Sequence, residues 1–180
     1  MSVNDPLPPV DIVGMAVDWL AQLRAVHRPH GVPLTPSQRA ALRHHFDADL
    51  LDGVRVVMME SLSRLDDTRL RTHFPSGELP IDLQAITGLT VGDTVCIGRD
   101  RLPCGAPLLP VLFQELVHVV QFQRLGLRGF VEHYLAGWAR TGRTHDGIPL
   151  ERQALALRRR FEGAPSRGFR VDQEIEHHVH

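Results

Sequence analysis

The chain has 180 residues, 43% of them hydrophobic and 23% charged, and carries a net charge of −1 with histidine neutral. That length suits one domain with a sizeable core, and so even a charge balance excludes an electrostatic nucleic-acid binder. No apolar run approaches the ~20 residues that span a bilayer; no signal peptide is seen either, so a cytoplasmic location is expected, with export by a specialised system left open.

Residues 1–9 read as a flexible, proline-rich lead. From Val10 to about His27 the apolar positions recur at helical spacing, which predicts an amphipathic helix. Thr35-Pro-Ser-Gln38 then announces a second helix, with threonine as N-cap, proline next and glutamine three residues on; it runs to about Phe46. Asp47 to Gly53 connects this helix to a strand over residues 54–59. Ser61 to Arg71 fits a short helix or a loop, and Phe74 to Gly77 a turn. Leu83 to Thr87 is expected as a second strand, Gly92-Asp93 as a tight turn, and Thr94 to Gly98 as a third strand. Cys96 and Cys104 are expected to be reduced thiols, with Cys96 in the core.

A loop from Asp100 to Pro110 leads into Val111 to Gly126, the stretch around which the chain is organised. Its helix is apolar on nearly every side and should be buried. Gln114, His118 and Gln121 nevertheless recur at i, i+4 and i+7 with Glu115 beside them, forming one polar stripe. Burying unpaired polar groups costs a few kcal/mol each, so the stripe needs something to bind. Gln121 reads as a second hydrogen-bonding layer behind His118, and Gln123 as exposed. Gly126 ends the helix. A further amphipathic helix covers Phe130 to Arg140, with Tyr134 and Trp138 as packing residues. Thr141 to Gly147 is a polar loop, and Pro149 opens a last helix to about Phe161. Arg158-Arg-Arg160 reads as a solvated helix face. The chain divides into an N-terminal extension with a helix (1–34), the domain proper (35–162) and a flexible polar tail (163–180). The tail holds His177, His178 and His180, which could scavenge metal.

The spacing Gln114-Glu115-x-x-His118 is one residue away from His-Glu-x-x-His. In that motif two imidazoles one turn apart face one zinc ion, and the glutamate activates the attacking water. The chain resembles the zincin-like metallopeptidases of the gluzincin kind. It looks closest to small bacterial domains with a helix of the form His-Glu-Leu-Val-His-Val-Val-Gln, followed by a segment like Ile-Pro-Leu-Glu-x-Gln-Ala. Gln114 to Gln121 and Ile148 to Ala154 correspond to these. It is also similar, more loosely, to the core domain of proteins associated with extracellular contractile injection systems. The resemblance is strong over about residues 94–161, vaguer over 35–93, and does not cover 1–34.

The resemblance implies an α+β, compact, helix-rich zincin-like domain with a small sheet on the central helix. It implies zinc held by His118 and Glu151, Glu115 as general base, and Gln114 at the place of the first metal ligand. An amide oxygen there is a weaker donor than imidazole. His145 stands where similar sequences carry a tyrosine; it could donate to a developing oxyanion or supply the missing imidazole. The expected activity is hydrolysis of a peptide or protein substrate laid along the sheet edge near residues 94–98. The alternative is a non-catalytic pseudoenzyme of the same fold, serving as a binding or structural module. Oligomeric state is not legible.

Overall fold

The computed structural model describes residues 11–65, 72, 81–102, 104–105, 107–141 and 144–176. The proline-rich lead, the turn at 74–77 and the three histidines at 177, 178 and 180 lie outside the described residues. The protein is an α+β, helix-rich domain built on a three-stranded mixed sheet. In chain order come α1 (Ile12–His27), α2 (Pro36–Leu42), α3 (Ala48–Gly53), β1 (Arg55–Met59), β2 (Gly88–Val91) and β3 (Thr94–Gly98). Then follow α4 (Leu108–Arg140), α5 (Pro149–Gly163) and α6 (Val171–Glu176).

Strand order is β1-β3-β2, with β1 parallel and β2 antiparallel to β3. Side chains alternate between faces. Val56, Val95 and Ile97 join the apolar cluster around the start of α4, whereas Val57, Cys96, Leu89 and Val91 pack with Ala16 and Leu20 of α1. Both faces are therefore buried, and the α1 helix of the N-terminal extension is part of the core. Among the described residues, no helix is long and apolar enough to cross a membrane.

The capping box at Thr35 forms as the sequence predicts: the Gln38 N–H donates to Thr35 Oγ1, and the Thr35 N–H to Gln38 Oε1. Its helix stops at Leu42 rather than Phe46, because the following turn drives His45 and Phe46 into the core. A short helix, α3, occupies the connecting segment 47–53 and buries Leu50 and Leu51. Leu83 to Thr87 is not a strand. Asp82 Oδ1 accepts the Gln84 N–H at 2.9 Å and its carbonyl accepts the Ala85 N–H, so a turn forms and the strand starts at Gly88. Leu62–Leu65 is a single 3-10 turn.

Three further corrections bear on function. Thr94–Gly98 is the central strand, paired on both sides, and has no edge to offer a substrate; among the described residues the strand next to α4 with one side unpaired is β2. Gly126 does end a helix, but the chain bends there (φ 68°, ψ 172°) and continues directly, so α4 consists of two arms. The polar tail from residue 163 is instead packed as far as residue 175: Phe169, Val171 and Ile175 are buried, and the Val171 N–H donates to the His45 carbonyl at 3.0 Å.

Candidate active site

Four segments bring the polar groups together. Glu115 and His118 stand one turn apart on the first arm of α4, drawn inside by the apolar residues around them. Tyr134 comes from the second arm, folded back after Gly126. Glu151 is in the first turn of α5, which Pro149 opens. His145 belongs to the 3-10 turn His145–Gly147, closed by the Ile148 N–H donating to its carbonyl at 3.1 Å. With Gln114 and Arg158 these side chains line a cavity of about 370 Å³, whose remaining wall is mostly apolar and includes Leu20, Ile86 and Phe130.

Glu151 is the centre of the cluster. Its Oε2 lies 3.3 Å from His118 Nε2, and its Oε1 lies 3.3 Å from His145 Nε2. Burial opposes ionisation of this carboxyl, yet the two imidazoles hold it far below the usual carboxylate range. Burial likewise opposes charge on His118, but the Glu151 carboxylate more than offsets it and pushes the imidazole up to about 9. His145 is shifted upward for the same reason.

The orientation of His118 is set from behind. Gln121 Nε2 donates to the Leu150 carbonyl at 3.1 Å and to Gln153 Oε1 at 2.9 Å. Both are acceptors, so the amide oxygen must face the other way, 2.8 Å from His118 Nδ1. Nδ1 therefore carries the proton, and Nε2 is the nitrogen presented to Glu151. The role expected of Gln121 is the one it fills.

Glu115 is enclosed. Thr90 Oγ1 donates to its Oε2 at 2.7 Å and also lies 3.1 Å from its backbone carbonyl. Burial raises the Glu115 carboxyl above its ordinary value, partly countered by His118 and by the Thr90 hydroxyl. A carboxylate raised toward neutrality is the kind that can take and return a proton. The opposite wall is Gly88, where a Cβ would stand 2.4 Å from Glu115 Oε1.

Gln114 is engaged elsewhere. Its Oε1 accepts from Arg158 Nη1 at 3.2 Å, while Arg158 Nε and Nη2 both reach Glu162 Oε1 at 3.3 Å. A permanent cation thus occupies the neighbourhood expected for a first metal ligand, which disfavours a metal cation at Gln114 itself. The arginine run is accordingly more than a solvated face at this one position. Tyr134 Oη, also read as mere packing, is buried and faces the Glu151 carboxylate, with no described group at full hydrogen-bonding geometry. Burial, and then the Glu151 charge, hold that phenol well above its usual pKa, so it stays a proton donor at the cavity wall. An apolar-face tyrosine needs a partner for its hydroxyl. As the single tyrosine in the chain, it was the one available clue. Nothing in the sequence pointed to Thr90, which meets Glu115 across 25 positions.

A zinc ion with donors at 2.0–2.2 Å in tetrahedral array separates neighbouring donor atoms by roughly 3.4 Å. The two nitrogen–oxygen separations of 3.3 Å have that spacing, and two imidazoles with one carboxylate are a zinc donor set. Among the described residues no group of three or more His, Cys, Asp or Glu side chains encloses a common centre, each imidazole here sitting on a different carboxylate oxygen. The donor types suit zinc at Glu151, where an ion would replace the direct contacts of the two imidazoles with the carboxylate, and His145, not Gln114, is the second side chain that meets Glu151. Compared with known proteins, the chain matches no family model, no curated protein and no solved structure.

Proposed function

We propose that the chain is a zinc-dependent, metallopeptidase-type hydrolase whose metal ligands are His118, Glu151 and His145. The observation that carries this reading is the Glu151 carboxylate held between two imidazoles, beside an enclosed Glu115, at the wall of a cavity. It keeps the lineage that the sequence suggests while moving one ligand from Gln114 to His145.

Zinc at Glu151 would polarise a peptide carbonyl and make water a stronger acid. Glu115 then takes the proton as water attacks the carbonyl carbon and delivers it to the departing amine, so the C–N bond breaks with a proton gained on nitrogen. Tyr134 Oη donates to the carbonyl oxygen as negative charge develops there. Gln121 keeps His118 Nε2 turned inward. The backbone nearest the cavity on the sheet side is β2, at Gly88, Leu89 and Thr90, and this strand replaces residues 94–98 as the place for an extended substrate.

Elemental analysis after purification without chelator should find one zinc per chain. His145→Ala should lower zinc affinity by at least about a hundredfold, and Gln114→Ala by less than about threefold. Absence of zinc, together with no thermal shift on adding it, would sink the reading. The non-catalytic alternative draws support from the mutual pairing of the ionisable groups, since Glu115 already bonds Thr90 and Glu151 already holds both imidazoles. If Gln114→His alone installs zinc binding and peptidase activity absent from the parent, that alternative is the correct one.

A further inference from the structure

Gln114 breaks the metal motif, and the structure assigns it a different partner: a guanidinium. Arg158 follows Glu151 by seven residues on α5, two turns along the same face, so both side chains reach the same cavity. Because a guanidinium offers only donors, the Gln114 oxygen must face Arg158. Its amide NH2 is left as a donor and bonds no other described residue. Arg158 uses three of its five N–H groups, two of them converging on a single Glu162 oxygen at 3.3 Å. The remaining guanidinium and amide donors thus belong to two side chains that touch each other and both line the cavity.

We infer that the part of the cavity lined by Gln114 and Arg158 takes the free carboxylate of a peptide's C-terminal residue, with an apolar side chain lying against Leu20, Ile86 and Phe130. The fork of a guanidinium matches a carboxylate in shape as well as charge. A doubly charged phosphate is disfavoured, since Glu115 and Glu151 line the same cavity. The cavity volume of about 370 Å³ suits one bulky residue and its flanking backbone. Gln114 is one helical turn from His118, which sets the Arg158–Gln114 pair about 5–6 Å along the helix from the Glu151 cluster. A single residue between scissile carbonyl and terminal carboxylate covers a similar span, about 3.8 Å from Cα to Cα plus the carboxyl group. What is cut rests on the hydrolase reading, and makes the enzyme a carboxypeptidase; the binding step does not depend on it.

Calorimetric titration of the full chain in EDTA tests binding apart from zinc. The probes are N-acetyl-L-leucine, its amide N-acetyl-L-leucinamide, and hexanoate. The acid should bind at least about tenfold more tightly than the amide, as expected for a charged hydrogen-bonded pair. Arg158→Met should remove that preference while leaving the amide's affinity unchanged. Arg158→Lys, which keeps the charge and loses the fork, should retain part of it, and carries the test if the methionine variant does not fold. Equal binding of acid and amide, or an acid preference that survives Arg158→Met, overturns the inference. So does hexanoate binding as well as N-acetyl-L-leucine, which would mark an alkyl-carboxylate pocket. Failure of zinc uptake with this preference intact would reject the hydrolase proposal alone.

Discussion

Gln121 and Gln114 sit two turns apart on one arm of α4, yet their amides serve opposite partners: one orients an imidazole, the other meets a guanidinium. The oxygen of Gln121 is aimed at His118 only because Leu150 and Gln153 hold its nitrogen. If the hydrolase reading holds, Gln121→Ala should therefore weaken zinc binding by about tenfold or more without touching a proposed ligand, as removal of such supporting hydrogen bonds does elsewhere; competition against a chromogenic chelator would measure it. The thiols divide in a comparable way. Cys96 is buried, and burial, followed by the Glu115 charge, pushes its thiol up to about 12, whereas Cys104 is exposed. At pH 8 one equivalent of maleimide should react with the native chain, at Cys104, and a second only after denaturation. Rapid double labelling of the native chain would contradict the buried position of Cys96.

At the scale of elements, the arrangement of the candidate site depends on two glycines. Gly126 takes φ of 68° and ψ of 172°, a region essentially reserved for glycine, which a residue with a Cβ enters at a cost of about 1–3 kcal/mol. It turns α4 back so that Phe130 stacks on Phe122 and Tyr134 faces the cavity. Gly126→Ala should lower stability by roughly that amount in a denaturant melt, with Gly129→Ala as the control in a helical position. Gly88 has another function. It leaves room for the Glu115 carboxylate against β2, and a methyl group there would stand 2.4 Å from Oε1. Since the carboxylate is the movable partner, Gly88→Ala should displace it from Thr90 rather than unfold the sheet. The expected result, if the hydrolase reading holds, is a loss in kcat of about a hundredfold with zinc content unchanged. Retained kcat would show that Glu115 is not the base.

For the whole molecule, the C-terminal segment is part of the core. His45, completely buried, is surrounded by the rings of Phe113, Phe161 and Phe169, and its Nδ1 lies 3.2 Å from the Phe169 carbonyl. Phe169, Val171 and Ile175 cover it, and burying each such side chain contributes about 1.5–3 kcal/mol. Their sum approaches the 5–15 kcal/mol that typically separates a folded domain from its unfolded chain. Truncation after Gly163 should therefore leave a chain with no cooperative melt. Burial lowers the His45 pKa, so the unfolded state takes up this proton first. The contribution is fully present above the unfolded value of about 6.5 and declines as pH falls through it. In the metal-free chain His118 works in the other direction: its pKa is raised, so its contribution is present below about 6.5 and is lost as pH rises through about 9. Comparing Tm of the parent and His45→Leu between pH 7 and 5 separates the two, because only the parent should show the His45 loss.

Local chemistry made much of the architecture readable from the sequence. The capping box at Thr35, the strands at 54–59 and 94–98, the turn at Gly92, the buried α4 and the break at Gly126 all follow from patterns within a few residues of one another. So does the polar stripe of Glu115, His118 and Gln121, because one helix fixes which side chains share a face. What faces that stripe is decided by contacts across 25 to 44 positions: Thr90 on Glu115, Arg158 on Gln114, and Glu151 on His118, of which only the last was expected, through the resemblance and not through spacing. Strand order is of the same kind, since a β-strand shows its alternation but not its neighbours, and residues 94–98 became the centre of the sheet rather than its edge. The tail misled for a related reason. Phe169, Val171 and Ile175 are too sparse to announce a core segment, and only the open side of His45 and Phe113 gives them something to cover.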